Sequence, residues 1–416
     1  MKMLRYVLLC LPLLAGCASE DIPEAKSVRA SNLRTPQEAI AVAQSVADFI
    51  NQENGVSSRS VRSVSKVSVL GSASLSRTSQ DTLIYAVDFE DGNGYALISA
   101  SPVGESVIGF TEEGNFDAER AAENPNYNYY LNEAKNYVAS TLVDMPNDIG
   151  PLEPVTPSIT KTDEIFPVVM VQWGQCYPEG MFCPNKLAGC SQTAMAQMMS
   201  FLESPTEIDF TYPNCEFTGV TLDWTSIKRH MKSINSTDPR DINSHSIGCM
   251  GSSVFHQMLG QLCRELGHRN NAHYLTYYGE EKTVTPSTNA YNTFRALVGA
   301  SKISGYNYSM DFPKLFKELK ANGRNSAVAY IRGCDATNNT EFAWVCDGGY
   351  DIITTTRALK IDGTWEYVDT HSYSMHFNWG WSGEDNGYFN AGVFKTENSD
   401  YPGNYNSSNQ YFVVYK

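Results

Sequence analysis

The residues best suited to chemistry lie in two short motifs near the middle of the chain. The first covers 172–175 (QWGQ), and the second, 189–199 (GCSQTAMAQMM), places Cys190 before a run of good helix formers. Because Ala194 and Met198 continue one apolar stripe of that helix, we expect Cys190 at or near its N-terminus. A helix N-terminus lowers the pKa of a thiol, and the thiolate is the nucleophilic form. The pattern favours a cysteine nucleophile; taken alone, such a cysteine is more often a buried structural residue.

A cysteine that cleaves an acyl bond needs donors for an oxyanion and an imidazole that stabilises the thiolate and protonates the leaving amine. The side-chain amide of Gln175 is suited to act with the backbone amide of Cys190 as oxyanion donor. Asn378, which ends a predicted strand and is flanked by the large indoles of Trp379 and Trp381, is suited to orient the imidazole. These residues together predict acyl transfer through Cys190.

The elements that must position these residues fall into two domains. The N-terminal one begins with a helix, since Thr35, Pro36 and Glu38 read as its N-cap, first-turn proline and capping-box acid. Short strands over 83–89, 94–99 and 106–110 and a second helix over 127–143 follow it. This domain contains no Cys and no His and offers no obvious catalytic group.

A proline-rich segment with Pro151, Pro154 and Pro157 separates the two domains and has the composition of an exposed linker. Everything after it holds all seven His and all six Trp of the chain. We therefore predict an α+β fold: a small helix-plus-antiparallel-sheet domain over 34–147, a linker over 148–164 and a larger domain over 165–416.

The first residues indicate export. Lys2 and Arg5 precede an apolar run that is too short to span a membrane, and residues 14–17 (LAGC) resemble a bacterial lipobox. We expect a signal peptide over 1–16, lipidation of Cys17 and a tether over 17–33, with a plain signal peptide as the alternative. Ala18 after the cysteine favours the outer membrane of a bacterial envelope, with surface exposure left open.

Charge and cysteine spacing exclude other classes of function. The chain has 31 Lys and Arg against 46 Asp and Glu and no basic block, which argues against a nucleic-acid partner. Cys176 and Cys183 are too far apart in sequence for a structural zinc pair, so we predict neither metal nor cofactor. If one of the eight cysteines outside the signal is a free nucleophile, seven remain, and they cannot all be bridged within the chain.

Four motifs, taken in order, resemble the streptopain-type cysteine peptidases, which have a papain-like fold and are made as zymogens. They lie at 173–175, 189–197, 343–348 and 376–381, and the N-terminal domain also looks like the pro-domain of that family at 94–99 and 107–110. The resemblance implies a papain-like peptidase domain with an inhibitory pro-domain in cis. It implies Cys190 as nucleophile, Gln175 as oxyanion donor, and Asn378 with Trp379 beside the base.

One position departs from the family. The residue before the 343–348 motif is the catalytic histidine in those peptidases, and here it is Phe342. None of the seven histidines lies between Asp335 and Tyr350. His376 is the one local substitute base, because it shares a strand face with Asn378; a hydrogen-bonded or surface histidine is the alternative.

Two functions follow from the sequence. One is a lipid-anchored cysteine endopeptidase zymogen that is activated by a cut in the linker and acts on polypeptide substrates. The other is a pseudopeptidase that binds a peptide or a protein partner in the retained cleft. A transferase on the same fold would also need a base, and nothing in the sequence favours it.

Overall fold

The computed structural model describes residues 33–53, 64–71, 82–143, 157–215, 217–231, 254–277, 280–286, 288–321, 323, 326–335, 340–359, 365–394 and 409–416. The predicted signal peptide, the lipobox with Cys17 and residues 148–156 of the linker lie outside these ranges. Among the helices within them, none has both the length and the apolar character needed to cross a membrane.

The helices of the described residues are α1 Pro36–Glu53, α2 Ala118–Glu123, α3 Pro125–Val143, α4 Cys190–Leu202, α5 Trp224–Met231, α6 Val254–Arg269, α7 Asn289–Val298 and α8 Phe312–Lys320. The strands are β1 Val64–Gly71, β2 Thr82–Phe89, β3 Tyr95–Ser99, β4 Val107–Phe110, β5 Ser158–Ile165, β6 Glu207–Phe210, β7 Phe217–Thr221, β8 His273–Tyr277, β9 Glu280–Val284, β10 Ala327–Asp335, β11 Thr340–Leu359, β12 Trp365–Asn378, β13 Gly387–Asn390 and β14 Gln410–Tyr415.

One antiparallel sheet runs through both halves of the chain. Its strand order is β1-β2-β3-β4-β13-β12-β11-β10-β14, and β5 pairs with β11 off this path. The two halves join where β4 pairs with β13, with Tyr388 opposite Phe110 and Phe389 opposite Gly109. β6 with β7 and β8 with β9 form separate two-stranded sheets.

Both faces of the sheet are covered, as the alternation of side chains along its strands requires. In β2, Ile84 and Ala86 face a core that helices α3 and α8 cover, whereas Tyr85 and Val87 face α1. In the C-terminal half the second face packs instead on α4, α6 and α7. The helix that begins with Cys190 and the helix α3 of the N-terminal domain therefore lie on opposite faces of one sheet.

Local sequence signals account for the N-terminal elements. The capping box is present, because the Glu38 carboxylate accepts the Thr35 N–H and the Thr35 hydroxyl accepts the Glu38 N–H. The strands predicted over 83–89, 94–99 and 106–110 are found as β2, β3 and β4, and the second helix as α3.

The end of the predicted linker differs from the expectation. Ser158–Ile165 forms strand β5 and pairs with β11, with Ile165 opposite Gly349. Its side chains alternate between exposed and half-buried, and Lys161 forms ion pairs with Glu53 and Glu164. The sheet thus provides hydrogen-bond partners for these polar residues. Their amino-acid composition alone does not predict this strand.

Candidate active site

Cys190 is the first residue of α4, as predicted. The preceding Gly189 has φ 94°, and a Cβ there would lie 2.8 Å from Thr283 Cγ2, so this position requires glycine. From Ser191 to Leu202 every residue of the helix is buried. The helix start is therefore held rigidly between β9 and the sheet.

The thiol lies in a small pocket beneath the sheet. Thr283, Tyr330, Glu341 and Phe342 are among the residues that line it with Cys190. The pKa of the Cys190 thiol is raised to about 11, chiefly by burial and to a smaller extent by the Glu341 carboxylate, and backbone hydrogen bonds from residues 343 and 191 only partly oppose this. The sequence-based expectation of a lowered pKa was wrong, because loss of solvent outweighs the helix terminus here.

Gln175 lies beside the helix of Cys190. Its backbone oxygen accepts the Ala188 N–H at 2.7 Å, and the Thr193 hydroxyl on α4 donates to the Gly174 oxygen at 2.9 Å. The Gln175 side chain is buried, and its Nε2 has no hydrogen-bond partner within the described part of the chain. An unused buried donor is the property that an oxyanion donor needs before substrate binds.

Asn378 is fixed to the same helix. Its Oδ1 accepts a hydrogen bond from Gln197 Nε2 at 2.9 Å, and its Nδ2 donates to the Val171 oxygen at 3.0 Å. Gln197 also donates to the oxygen of Trp173 at 3.3 Å. Helix α4 thus joins the motif that carries Gln175 to the motif that carries Asn378.

Trp379 is fully buried and faces the N-terminal domain. Its indole N–H donates to the Asp385 oxygen at 2.8 Å, and its ring lies 5.7 Å from that of Tyr127 and 5.9 Å from that of Tyr130, both on α3. The indole that the resemblance places beside the base is therefore covered by the N-terminal domain.

Phe342 occupies the position where the resemblance expects the catalytic histidine. It is half-buried, lines the pocket of Cys190, and its ring stacks on that of Tyr129 with 4.8 Å between centroids. Of the described residues, those that line this pocket include no histidine.

His376 is engaged elsewhere. Its Nδ1 lies 2.6 Å from Asp347 Oδ1, while Asp347 Oδ2 accepts the N–H groups of Val168 and Val169. The ring also contacts Tyr388 at 5.0 Å between centroids. Asn378 bonds the segment 168–171 directly and His376 is linked to it through Asp347, but His376 does not line the Cys190 pocket.

Comparison with known proteins agrees with this architecture. The sequence model of the Peptidase C10 family matches residues 171–389, and that of the Spi protease inhibitor matches residues 27–138. The chain belongs to the Peptidase C10 family. The expected streptopain-type peptidase with an N-terminal inhibitor-type pro-domain is thereby confirmed.

Two relatives of this C10 chain extend the comparison. The thiol protease/hemagglutinin PrtT of Porphyromonas gingivalis is 23% identical over 350 residues, which are 74% of this chain but 34% of PrtT, so the chain spans about a third of that relative. A fragment of prointerpain A from Prevotella intermedia matches with a TM-score of 0.54 and 18% identity over 84% of this chain and 99% of the fragment. This structure confirms the predicted fold of a pro-domain joined to a papain-like domain.

Sequence reasoning missed several residues of the C10 site. Glu179 is buried, accepts the Gly174 N–H at 3.2 Å, and has a pKa that burial raises to about 8. Asn126 of the N-terminal domain donates through Nδ2 to the oxygens of Ala343 at 2.8 Å and Trp379 at 2.7 Å. Nothing in the sequence marks Asn126 as a residue that reaches the site, because the N-terminal domain contains neither His nor Cys.

Metal and disulfide chemistry find no support in the described ranges. No group of three His, Cys, Asp or Glu side chains there is placed to hold a metal ion, and Cys183, Cys190, Cys215, Cys263 and Cys346 form no disulfide. Cys249 lies outside the described residues.

Proposed function

We propose that this chain is a lipid-anchored envelope pseudopeptidase of the C10 family that holds polypeptide against its peptidase domain without turning it over. The observation that carries the proposal is Phe342, which is among the residues that line the pocket of Cys190 and whose ring packs on Tyr129 of α3, at the position where the resemblance places the general base. A phenyl ring neither stabilises a thiolate nor supplies the proton that a leaving amine needs.

The electrostatics of the pocket support the same conclusion. Attack by Cys190 on a peptide carbonyl needs the thiolate, yet burial and Glu341 both favour the neutral thiol. Glu341 also forms an ion pair with Arg332, which lines the pocket as well. His376, the candidate substitute base on the strand of Asn378, has its hydrogen bond to Asp347.

A cysteine endopeptidase zymogen is the second candidate, and one observation favours it. Gln175 keeps a buried Nε2 with no partner in the described part of the chain, which a protein without acyl chemistry has no need to retain. In that case an unidentified group takes the thiol proton as Cys190 Sγ attacks the carbonyl carbon, and Gln175 Nε2 and the Cys190 N–H hold the oxyanion. The same group returns the proton to the amine as the C–N bond breaks, and water then hydrolyses the thioester.

Hydrolysis by matched variants decides between the two functions. A specific protease site is placed in the linker within 148–156 of the full-length chain, and casein hydrolysis is measured before and after cutting. We expect the wild type to hydrolyse casein no faster than the Cys190→Ala variant does. Phe342→His is expected to gain Cys190-dependent hydrolysis of about 10²–10⁴-fold over the wild type. Cys190-dependent hydrolysis by the cut wild type would instead establish the zymogen.

The membrane anchor has its own test. The lipobox at 14–17 supports acylation of Cys17, and Ala18 after it supports an outer-membrane location. Labelled fatty acid fed to the producing cells should enter the wild type and be absent from Cys17→Ala, which should also leave the membrane fraction. Equal labelling of the two proteins would refute the anchor.

A further inference from the structure

We infer that the N-terminal domain is a permanent partner of the C10 domain, held on its sheet after linker cleavage by a slot for Tyr129 that Phe342 and Gly333 form. The inference rests on the proposed function and names the polypeptide that this face holds. That polypeptide is a folded domain of the same chain.

The slot fits one side chain closely. The Tyr129 ring stacks on Phe342 with an interplanar angle of 21°, and it also contacts the rings of Trp344 and Phe394 at 6.0 and 6.4 Å between centroids. Its hydroxyl donates to Asn409 Oδ1 at 3.2 Å. Tyr129 is therefore surrounded by C10-domain side chains and has its polar atom satisfied there.

Gly333 completes the slot. It lies opposite Phe342 in the β10–β11 ladder, inside a strand, where glycine is disfavoured. A Cβ at this position would lie 2.6 Å from Tyr129 Cε1 and 3.0 Å from the indole of Trp344. The missing side chain makes room for these two rings, so the surface of the C10 domain is shaped to the N-terminal domain.

Asn126, one helical turn before Tyr129, anchors the same helix end. The β11–β12 ladder stops at the pair Val345 and Asn378, which leaves the oxygens of Ala343 and Trp379 beyond it. The two N–H groups of the Asn126 amide bond both oxygens. Helix α3 thereby closes the gap where the two strands separate.

The remaining contacts extend along the whole boundary. Tyr95 donates to Asp385 Oδ1 at 2.8 Å and lies 2.6 Å from the Tyr127 hydroxyl, all three side chains being buried. The β4–β13 ladder adds backbone hydrogen bonds, and one apolar core draws residues from both domains. Such a boundary resembles a domain core cut in half, which is typical of obligate rather than transient partners.

This arrangement explains physically why a phenylalanine stands at position 342 in place of a histidine. An apolar ring there extends the stacked cluster under α3, whereas a histidine would bring a polar, titratable ring into the contact with Tyr129. At position 342 a catalytic imidazole is thus replaced by a phenyl ring that binds the N-terminal domain.

The test uses the full-length chain with the cleavable linker described above. After cutting, the two fragments are passed over a gel-filtration column at nanomolar concentration. We expect the wild-type fragments to elute together. The two fragments of the Tyr129→Ala variant should dissociate on the order of 100-fold faster than the wild-type fragments, and those of the Phe342→Ala variant on the order of 10-fold faster. In a double-mutant cycle the two changes should be non-additive, because they remove the same contact.

Gly333→Ala has a matched control in Gly305→Ala, since a Cβ at Gly305 meets nothing within 4 Å. Only the former should speed separation, and circular dichroism of the uncut variants shows that each has folded. Should Gly333→Ala not fold, Tyr129→Ala carries the test alone.

The outcomes for the inference and for the proposed function are distinct. Wild-type fragments that separate on dilution overturn the inference, and if they show no Cys190-dependent hydrolysis the pseudopeptidase proposal stands. Fragments that stay together but hydrolyse casein through Cys190 overturn the proposed function and leave the permanent partner intact. Co-elution without hydrolysis supports both.

Discussion

His376 and Asp347 form a pair that ties β12 to the segment leading into the site. The imidazole Nδ1 lies 2.6 Å from the fully buried carboxylate of Asp347, whose second oxygen accepts the N–H groups of Val168 and Val169. The two residues thus fix the path of the chain that, a few residues later, reaches Gln175. This geometry suits a structural histidine.

The first prediction separates a structural His376 from a substitute base. His376→Ala leaves the buried Asp347 carboxylate without its imidazole, which should cost about 1.5–3 kcal/mol of unfolding free energy, measured by urea denaturation. In a chain that already carries Asp347→Asn, His376→Ala should lower the unfolding free energy by less than it does in the wild type. A substitute base would behave differently: the cut wild type would show Cys190-dependent hydrolysis, and His376→Ala would abolish it with little effect on stability.

The second prediction concerns the reactivity of Cys190. Its pKa is raised from 9.0 to about 11, so at neutral pH the thiolate population is about 100-fold lower than that of an unperturbed thiol. Alkylation by iodoacetamide, followed by mass spectrometry of the Cys190 peptide, should be correspondingly slow at pH 7 and still rising at pH 10. Glu341→Gln removes a negative charge near the sulfur and should speed alkylation. Reaction at pH 6 as fast as that of a free thiol would contradict the pocket described above.

Much of the site could be predicted from the sequence, because the features concerned depend on residues that are close together in the chain. The helix that starts at Cys190 and the capping box at Thr35 depend on neighbours in sequence, and both were predicted correctly. The pKa of Cys190 was not predictable, because it is set by burial under β10 and β11, which are far away in sequence. The hydrogen-bond partners of Asn126 could not be predicted either, since the N-terminal domain has no His or Cys that would indicate a contact with the site.

The third prediction places a pH dependence at the boundary between the domains. Glu105 lines a cavity of about 760 Å³ there with Tyr137, Asp311 and His371, and burial raises its pKa from 4.5 to about 7. The folded chain therefore keeps the proton in a range where the unfolded chain has lost it. Stability from this group is full below about pH 4.5 and falls by up to about 3 kcal/mol as the pH rises to about 7.

Glu105→Gln should remove that loss. Unfolding by urea at pH 5 and pH 8 measures it, and Glu113→Gln, at an exposed position outside the cavity, serves as the control. If the wild type and Glu105→Gln lose the same stability between the two pH values, Glu105 is not the titrating group.

The fourth prediction tests Glu179, which holds the backbone next to Gln175. Because burial raises its pKa from 4.5 to about 8, the folded chain carries it as a neutral acid at neutral pH, and stability falls as the pH rises through that interval. Glu179→Gln keeps an acceptor for the Gly174 N–H and cannot ionise, so it should match the wild type at pH 5 and exceed it in thermal stability at pH 9. Glu179→Leu also cannot ionise but removes the acceptor, so it should be about 1–3 kcal/mol less stable than Glu179→Gln at both pH values, because the Gly174 N–H is left buried and unbonded. Equal behaviour of the Gln and Leu variants would mean that the hydrogen bond to Gly174 contributes nothing.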